Sequence, residues 1–175
     1  MLRLLCLLCM TSVAAQQAEN VSVDTPPPTL ESDKDALLSI KEHLSMYSQK
    51  DDTLYTDWLE DSDPCIDEWS HVVCECGEGE VTFPFVVDIC DAFIPPIDTS
   101  RVLVLLLPGG EGEDEKWSGP LSPDFGRLDS LRFLDLGDNL FSGSIPRSFR
   151  NLDNLRVLTL SENKLNGSIP DFLGD

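Results

Sequence analysis

The chain is poor in histidine, in tyrosine and in positive charge. Its 175 residues hold two His and two Tyr, and 12 Lys+Arg stand against 32 Asp+Glu, a formal charge of −20 at pH 7. Charge of that sign repels phosphate backbones and anionic headgroups, which argues against nucleic acid and anionic membrane as partners and suits a basic one. Long apolar runs are missing as well. The stretch Leu4-Leu-Cys-Leu-Leu-Cys-Met10 is far short of the roughly 20 residues that cross a bilayer, and nothing later is long or apolar enough. No nucleophile elbow, phosphate loop or zinc-binding His pair occurs, and no carboxylates sit on a recognisable scaffold. His71 has no second ligand or nucleophile near it in sequence and reads as structural. The run Glu111-Gly-Glu113-Asp114-Glu115 lacks the alternating ligands and closing Glu of a calcium loop and reads as solvated. An enzyme, a metal site and a cofactor are therefore not expected.

What is present is a repeat. Leu131-Arg-Phe-Leu134-Asp-Leu136-Gly-Asp-Asn139-Leu-Phe141-Ser-Gly143-Ser-Ile145-Pro146 returns 24 residues later as Leu155-Arg-Val-Leu158-Thr-Leu160-Ser-Glu-Asn163-Lys-Leu165-Asn-Gly167-Ser-Ile169-Pro170, with nine identities. A fixed period of this length predicts an α/β repeat solenoid, in which each unit buries its apolar edge against its neighbours. Residues two apart on a short strand share a face, so Leu134, Leu136, Leu158 and Leu160 point into the core and Asp135 and Thr159 point out. Asn139 and Asn163 stand where the chain leaves the strand. An amide both donates and accepts, so stacked copies predict an asparagine ladder that satisfies the buried turn.

A degenerate earlier copy precedes these two. Gly119, Phe125 and Leu128 lie 24 residues before Gly143, Phe149 and Leu152, and the strand of this copy falls in Val102–Leu107. It carries a five-residue insertion and no ladder Asn, as terminal repeats often do. The order L-x-x-L-x-L-x-x-N-x-[LF]-x-G-x-I-P resembles the plant-specific class of leucine-rich repeat. That resemblance implies short parallel strands lining a concave face. The outward residues are then Arg132, Phe133, Asp135, Gly137 and Asp138, followed by Arg156, Val157, Thr159, Ser161 and Glu162.

From the N-terminus, residues 1–15 read as a secretory signal: one charge at Arg3, the apolar run, then Val13-Ala14-Ala15 with cleavage after Ala15. Losing Arg3 takes the charge to −21 and leaves Cys65, Cys74, Cys76 and Cys90 of six cysteines. An even number in a secreted chain predicts two disulfides, with three connectivities open. Residues 16–31, with Pro26-Pro-Pro28 and no periodicity, read as a disordered tail carrying a glycosylation sequon at Asn20. A helix is expected over Ser32–Tyr47, capped by Ser32-x-x-Asp35. Its apolar face is Ala36, Leu37, Ile40, Leu44 and Tyr47, set against Leu54, Trp58 and Leu59.

Ala36-Leu-Leu-Ser-Ile-Lys41, Asp63-Pro64-Cys65 and Trp69-Ser-His71-Val-Val-Cys74 resemble the N-terminal cap of plant-type leucine-rich-repeat proteins. The resemblance, which covers about 33–76 and 101–175, implies a Cys65–Cys74 disulfide closing a helical cap domain at 32–76. His71 departs from it, standing where the family has Gly. A second departure is residues 77–100, read as an inserted segment clamped by Cys76–Cys90; the extracellular setting and the spacing favour disulfides over a metal site. About three repeats then fill 101–175.

The resemblance implies an extracellular protein- or peptide-recognition module, like receptor-like kinase or receptor-like protein ectodomains and polygalacturonase-inhibitor-like wall proteins. The alternative is a structural acidic glycoprotein of the matrix or wall. Asn166-Gly-Ser168 is a second sequon. The chain stops at Asp175 within its third repeat with Leu158, Leu160, Leu165 and Ile169 uncovered. The expectation is a truncated sequence, or an end covered by a receptor co-partner or by self-association.

Overall fold

A computed structural model describes residues 29–48, 56–67, 69–74, 101–110, 112 and 115–174. The expected signal, the Asn20 sequon, Leu54, the Cys76–Cys90 clamp and the segment 77–100 lie outside these residues. One helix, α1, spans Glu31–Tyr47. Seven short strands follow: β1 Val72–Val73, β2 Val104–Leu106, β3 Ser118–Pro120, β4 Phe133–Asp135, β5 Leu140–Gly143, β6 Val157–Thr159 and β7 Lys164–Leu165. Between them lie 3₁₀ helices at Pro123–Arg127, Arg147–Asn151 and Asp171–Leu173, each starting 24 residues after the last.

The strands form two stacks. In a four-stranded sheet ordered β1-β2-β4-β6, β1 is antiparallel to β2 and the rest are parallel. The parallel sheet β3-β5-β7 forms on the far side of each repeat. That second sheet was not expected from the sequence. Its signal is the glycine recurring at 119, 143 and 167, where φ is +87°, +76° and +88°, values that an L side chain rarely adopts.

Between the sheets, Leu105, Leu107, Leu134 and Leu136 are fully buried, and Phe125 meets Phe149 edge-on at 6.0 Å. The asparagine ladder forms as expected. Asn139 Nδ2 donates to Leu107 O (2.8 Å), Leu136 O (3.2 Å) and Gly137 O (2.9 Å), while its Oδ1 accepts from Trp117 N at 2.8 Å. Asn163 repeats the pattern toward Leu136, Leu160 and Ser161 and accepts from Phe141 N.

The cap differs from expectation at its edges. Helix α1 starts at Glu31, with Leu30 at the N-cap and no side-chain cap bond, so Ser32 and Asp35 do not cap it. Thr29, assigned above to a disordered tail, is buried and donates through N and Oγ1 to Asp63. Ala36, Leu37, Ile40 and Leu44 face the core as read, but Tyr47 and Leu59 are about half exposed, at 49% and 48%. Tyr47 still serves packing: a Cβ at Gly119 would meet its Cβ at 2.4 Å, so β3 passes close over the helix end. Trp58 and Trp69 stack at 5.6 Å, each N–H satisfied, by Ser70 O and Ser62 Oγ respectively.

The cap is tied to the repeats by Asp33, which is fully buried. Its carboxylate accepts from Arg101 Nε (3.0 Å) and Nη2 (3.1 Å) and from Val102 N (3.0 Å). Arg101 also pairs with Asp129. The hydrogen bonds that Arg101 donates to Asp33 outweigh burial and raise the guanidinium pKa.

Candidate functional site: the outer face of the four-stranded sheet

The outward residues of β2, β4 and β6 stand in columns set by the parallel register. Val104, Phe133 and Val157 are neighbours, then Leu106, Asp135 and Thr159. Arg132 and Arg156 lie just before their strands, linked by Arg156 N donating to Arg132 O at 2.8 Å. Of the residues expected on this face, Arg156, Asp138 and Glu162 are exposed, and Arg132, Asp135, Val157 and Thr159 are half-buried.

Phe133 corrects the sequence reading. It is only 7% exposed and clusters with Leu103, Val104 and Leu106, against which Val73 and Val157 pack. A period-two strand was expected to leave its outward residues in solvent. Here the outward side of the first copies is apolar too, so Phe133 finds neighbours on both flanks. The signal was in the sequence: Val102–Leu107 is six apolar residues without alternation, the pattern of a parallel strand covered on both faces.

At the strand exits, Asp135 Oδ1 accepts from Gly137 N at 2.9 Å, an Asx turn that occupies this carboxylate locally. Asp138 (φ +56°) and Glu162 (φ +52°) then take the left-handed conformation that aims the following Asn into the ladder. At the opposite end of the strands, Arg132 Nη1 is buried with no hydrogen-bond partner.

Away from this face, Cys65 and Cys74 form a disulfide. His71 has φ +68°, which explains why Gly would suit its position. Burial alone would raise the pKa of Asp57, but bonds from the Ser70 hydroxyl and backbone, with the nearby His71, hold it below the usual carboxylate value. Asp63 behaves alike: burial is outweighed by hydrogen bonds from the Thr29 side chain and from Ile66, Cys65 and Thr29 N–H groups. Asn166 is exposed, its N–H donating to Gly143 O. In the last repeat Leu158, Leu160 and Leu165 are half-buried rather than bare, whereas Ile169 is 79% exposed. They line an open cavity of about 1050 Å³ with Ile145, Phe149 and Phe172. No helix among the described residues is long and apolar enough to cross a membrane.

Two family descriptions match the chain: "Leucine rich repeat N-terminal domain" at residues 30–75 and "Leucine rich repeat" at 123–166, together just over half of it. No curated protein matches. Among solved structures, the crystal structure of PEPR1-AtPEP1 is 30% identical at a TM-score of 0.57, over 82% of this chain and 16% of that one. The BIR2 ectodomain from Arabidopsis thaliana is 24% identical at a TM-score of 0.56, over 86% of this chain and 62% of that one, a likeness of fold. The chain thus spans less than two thirds of either protein. With its disulfide-closed helical cap and its 24-residue units joined by an asparagine ladder, the chain belongs to the leucine-rich-repeat family in its plant-type form.

Proposed function

We propose that the outer face of the four-stranded sheet recognises a protein or peptide ligand, within an extracellular receptor-like or inhibitor-like protein. The observation that carries this reading is the division of labour inside the repeat. Inward Leu134/Leu158, Leu136/Leu160 and Asn139/Asn163 are the same in both copies. Outward Asp135/Thr159, with Phe133/Val157 and Gly137/Ser161 beside it, differs over an unchanged backbone register, while Arg132/Arg156 is kept and Phe133 and Gly137 are buried. A scaffold that holds its frame and varies its surface is built to present chemistry rather than perform it. The likeness to PEPR1 in the PEPR1-AtPEP1 structure agrees with this reading. The Cys65–Cys74 disulfide fits an oxidising compartment, and with it the signal at 1–15 and N-glycans at Asn20 and Asn166.

The test is selection of binders from a random peptide library on the secreted protein. Binding should be lost on Arg156→Ala with Thr159→Ala and kept on Arg147→Ala with Arg150→Ala, which lie on a 3₁₀ helix away from the sheet. Binders insensitive to the first pair would move the site elsewhere. A library that enriches nothing would favour the structural acidic glycoprotein.

A further inference from the structure

The outer face of the four-stranded sheet changes character from the cap toward the last repeat. Leu103, Val104 and Leu106 hold the outward positions at β2; their counterparts are Arg132, Phe133 and Asp135 at β4, then Arg156, Val157 and Thr159 at β6. At β2 all three are apolar and all are buried, with 3%, 0% and 6% of their surface exposed. At β6 Arg156 is exposed and the other two are half-buried.

Neighbours within the sheet do not account for this burial. Val104 is flanked by Val73 on β1 and Phe133 on β4, and Phe133 by Val157 on β6. Side chains stand roughly perpendicular to a sheet, so flanking strands shield their sides and leave their tips to solvent. Among the described residues, the apolar side chains packed on this cluster are Val73 and Val157, both members of the same sheet. Full burial of Val104 therefore calls for a layer on top of the sheet.

The chain itself points to what forms that layer. It leaves this sheet after Val73 and rejoins it before Val104, on adjacent antiparallel strands. The 26 residues 75–100 that join them lie outside the described residues, and both ends of this connection sit beside the apolar patch. Three strands span about 10 Å, whereas 26 residues reach about 40 Å out and back. Along the connection Val81, Phe83, Phe85 and Val87 recur at every second position, the pattern that gives an extended segment one apolar side.

We infer that residues 77–100 dock on the outer face at β2 and β4, with Val81–Val87 packed against Leu103, Val104, Leu106 and Phe133. This stands whether or not the face binds a ligand. For a ligand it leaves the polar positions Asp135, Arg156 and Thr159.

Expression of the unchanged sequence with photo-leucine tests this without a substitution, since residues 77–100 contain no leucine. Irradiation of the secreted protein should join Leu103 or Leu106 to peptides from 77–100. Products in which these two leucines reach only 101–175, or only a second copy, overturn the inference. Hydroxyl-radical labelling is the second readout. Phe83→Ser with Phe85→Ser should raise labelling of Phe133 at least threefold and leave that of Phe141, fully buried between the sheets, unchanged. Equal labelling of Phe133 in both proteins overturns the inference. Should Phe141 rise as well, the variant has unfolded and the photo-leucine products decide alone.

Discussion

Asn139 and Asn163 occupy the same place in successive copies, and both reach back to the carbonyl of the preceding turn at 2.8 Å. Asp138 and Glu162 before them share a left-handed φ, and Gly143 and Gly167 after them do too. Yet Asn139 is 1% exposed while Asn163 is half-buried, and Leu134 and Leu136 are fully buried while Leu158 and Leu160 are not. Ile145 is half-buried and Ile169 is 79% exposed. Local sequence sets the backbone of a repeat; the neighbouring repeat sets its energetics. A side chain contributes in proportion to what stacks on it, so equal substitutions in the two copies should have unequal effects.

The asparagines should show this most strongly. Asn139→Ala leaves Trp117 N–H and the Leu107, Leu136 and Gly137 carbonyls without that partner in a buried turn. At ~1–3 kcal/mol for each buried group left unsatisfied, the loss should be about 4 kcal/mol. Asn163→Ala strands equivalent groups, but water reaches them, and about 2 kcal/mol is expected. Urea melts of both variants measure the gap, and equal losses would mean that burial is not what distinguishes the copies. The leucines come next. Leu134→Ala should destabilise by about 3 kcal/mol as a full-burial cavity, and Leu158→Ala by about 1 kcal/mol.

Residues 126 and 150 sharpen the comparison at a position where the copies differ. A Cβ on Gly126 would lie 2.3 Å from Ser148 O, a backbone atom of the next 3₁₀ helix, so the two helices touch there. Overpacking of this kind costs about 2 kcal/mol, which is the expected effect of Gly126→Ala. Arg150 holds the same position one repeat later and is exposed, so Arg150→Ala should change stability by less than about 0.5 kcal/mol. Thermal melts of the two variants decide it.

The period, the ladder and the core leucines were legible in the sequence because each depends on residues close in the chain and repeated. The cap disulfide was legible by resemblance. What escaped depends on distant neighbours or on strands too short to pattern. Strands β3, β5 and β7 have two to four residues each and include left-handed glycines, so no alternation marks them. Phe133 could not be seen as buried from its own repeat, where outward Phe133 and Asp135 alternate with inward Leu134 and Leu136. Its burial follows from Val104 across the register. Ser32 and Asp35 had cap-like spacing, but Thr29 bonding to Asp63 brings the chain in early enough for the helix to begin at Glu31.

One pair of substitutions should reverse the order, with the last copy responding more. Asp138 and Glu162 both hold positive φ, a conformation that costs an L residue about 1–2 kcal/mol and glycine almost nothing. Glycine also loses more freedom on folding, so the net gain from replacement is only part of that. Asp tolerates the left-handed region because its short side chain bonds locally; Glu has no such advantage. Glu162→Gly should therefore stabilise by about 0.5–1 kcal/mol and Asp138→Gly by less, although Glu162 lies in the less buried repeat. Strain of this kind is a property of the residue and its own backbone, so the lower burial around Glu162 does not dilute it. If both variants instead lose stability in proportion to burial, these turns are set by packing and the division between local conformation and stacking energetics fails.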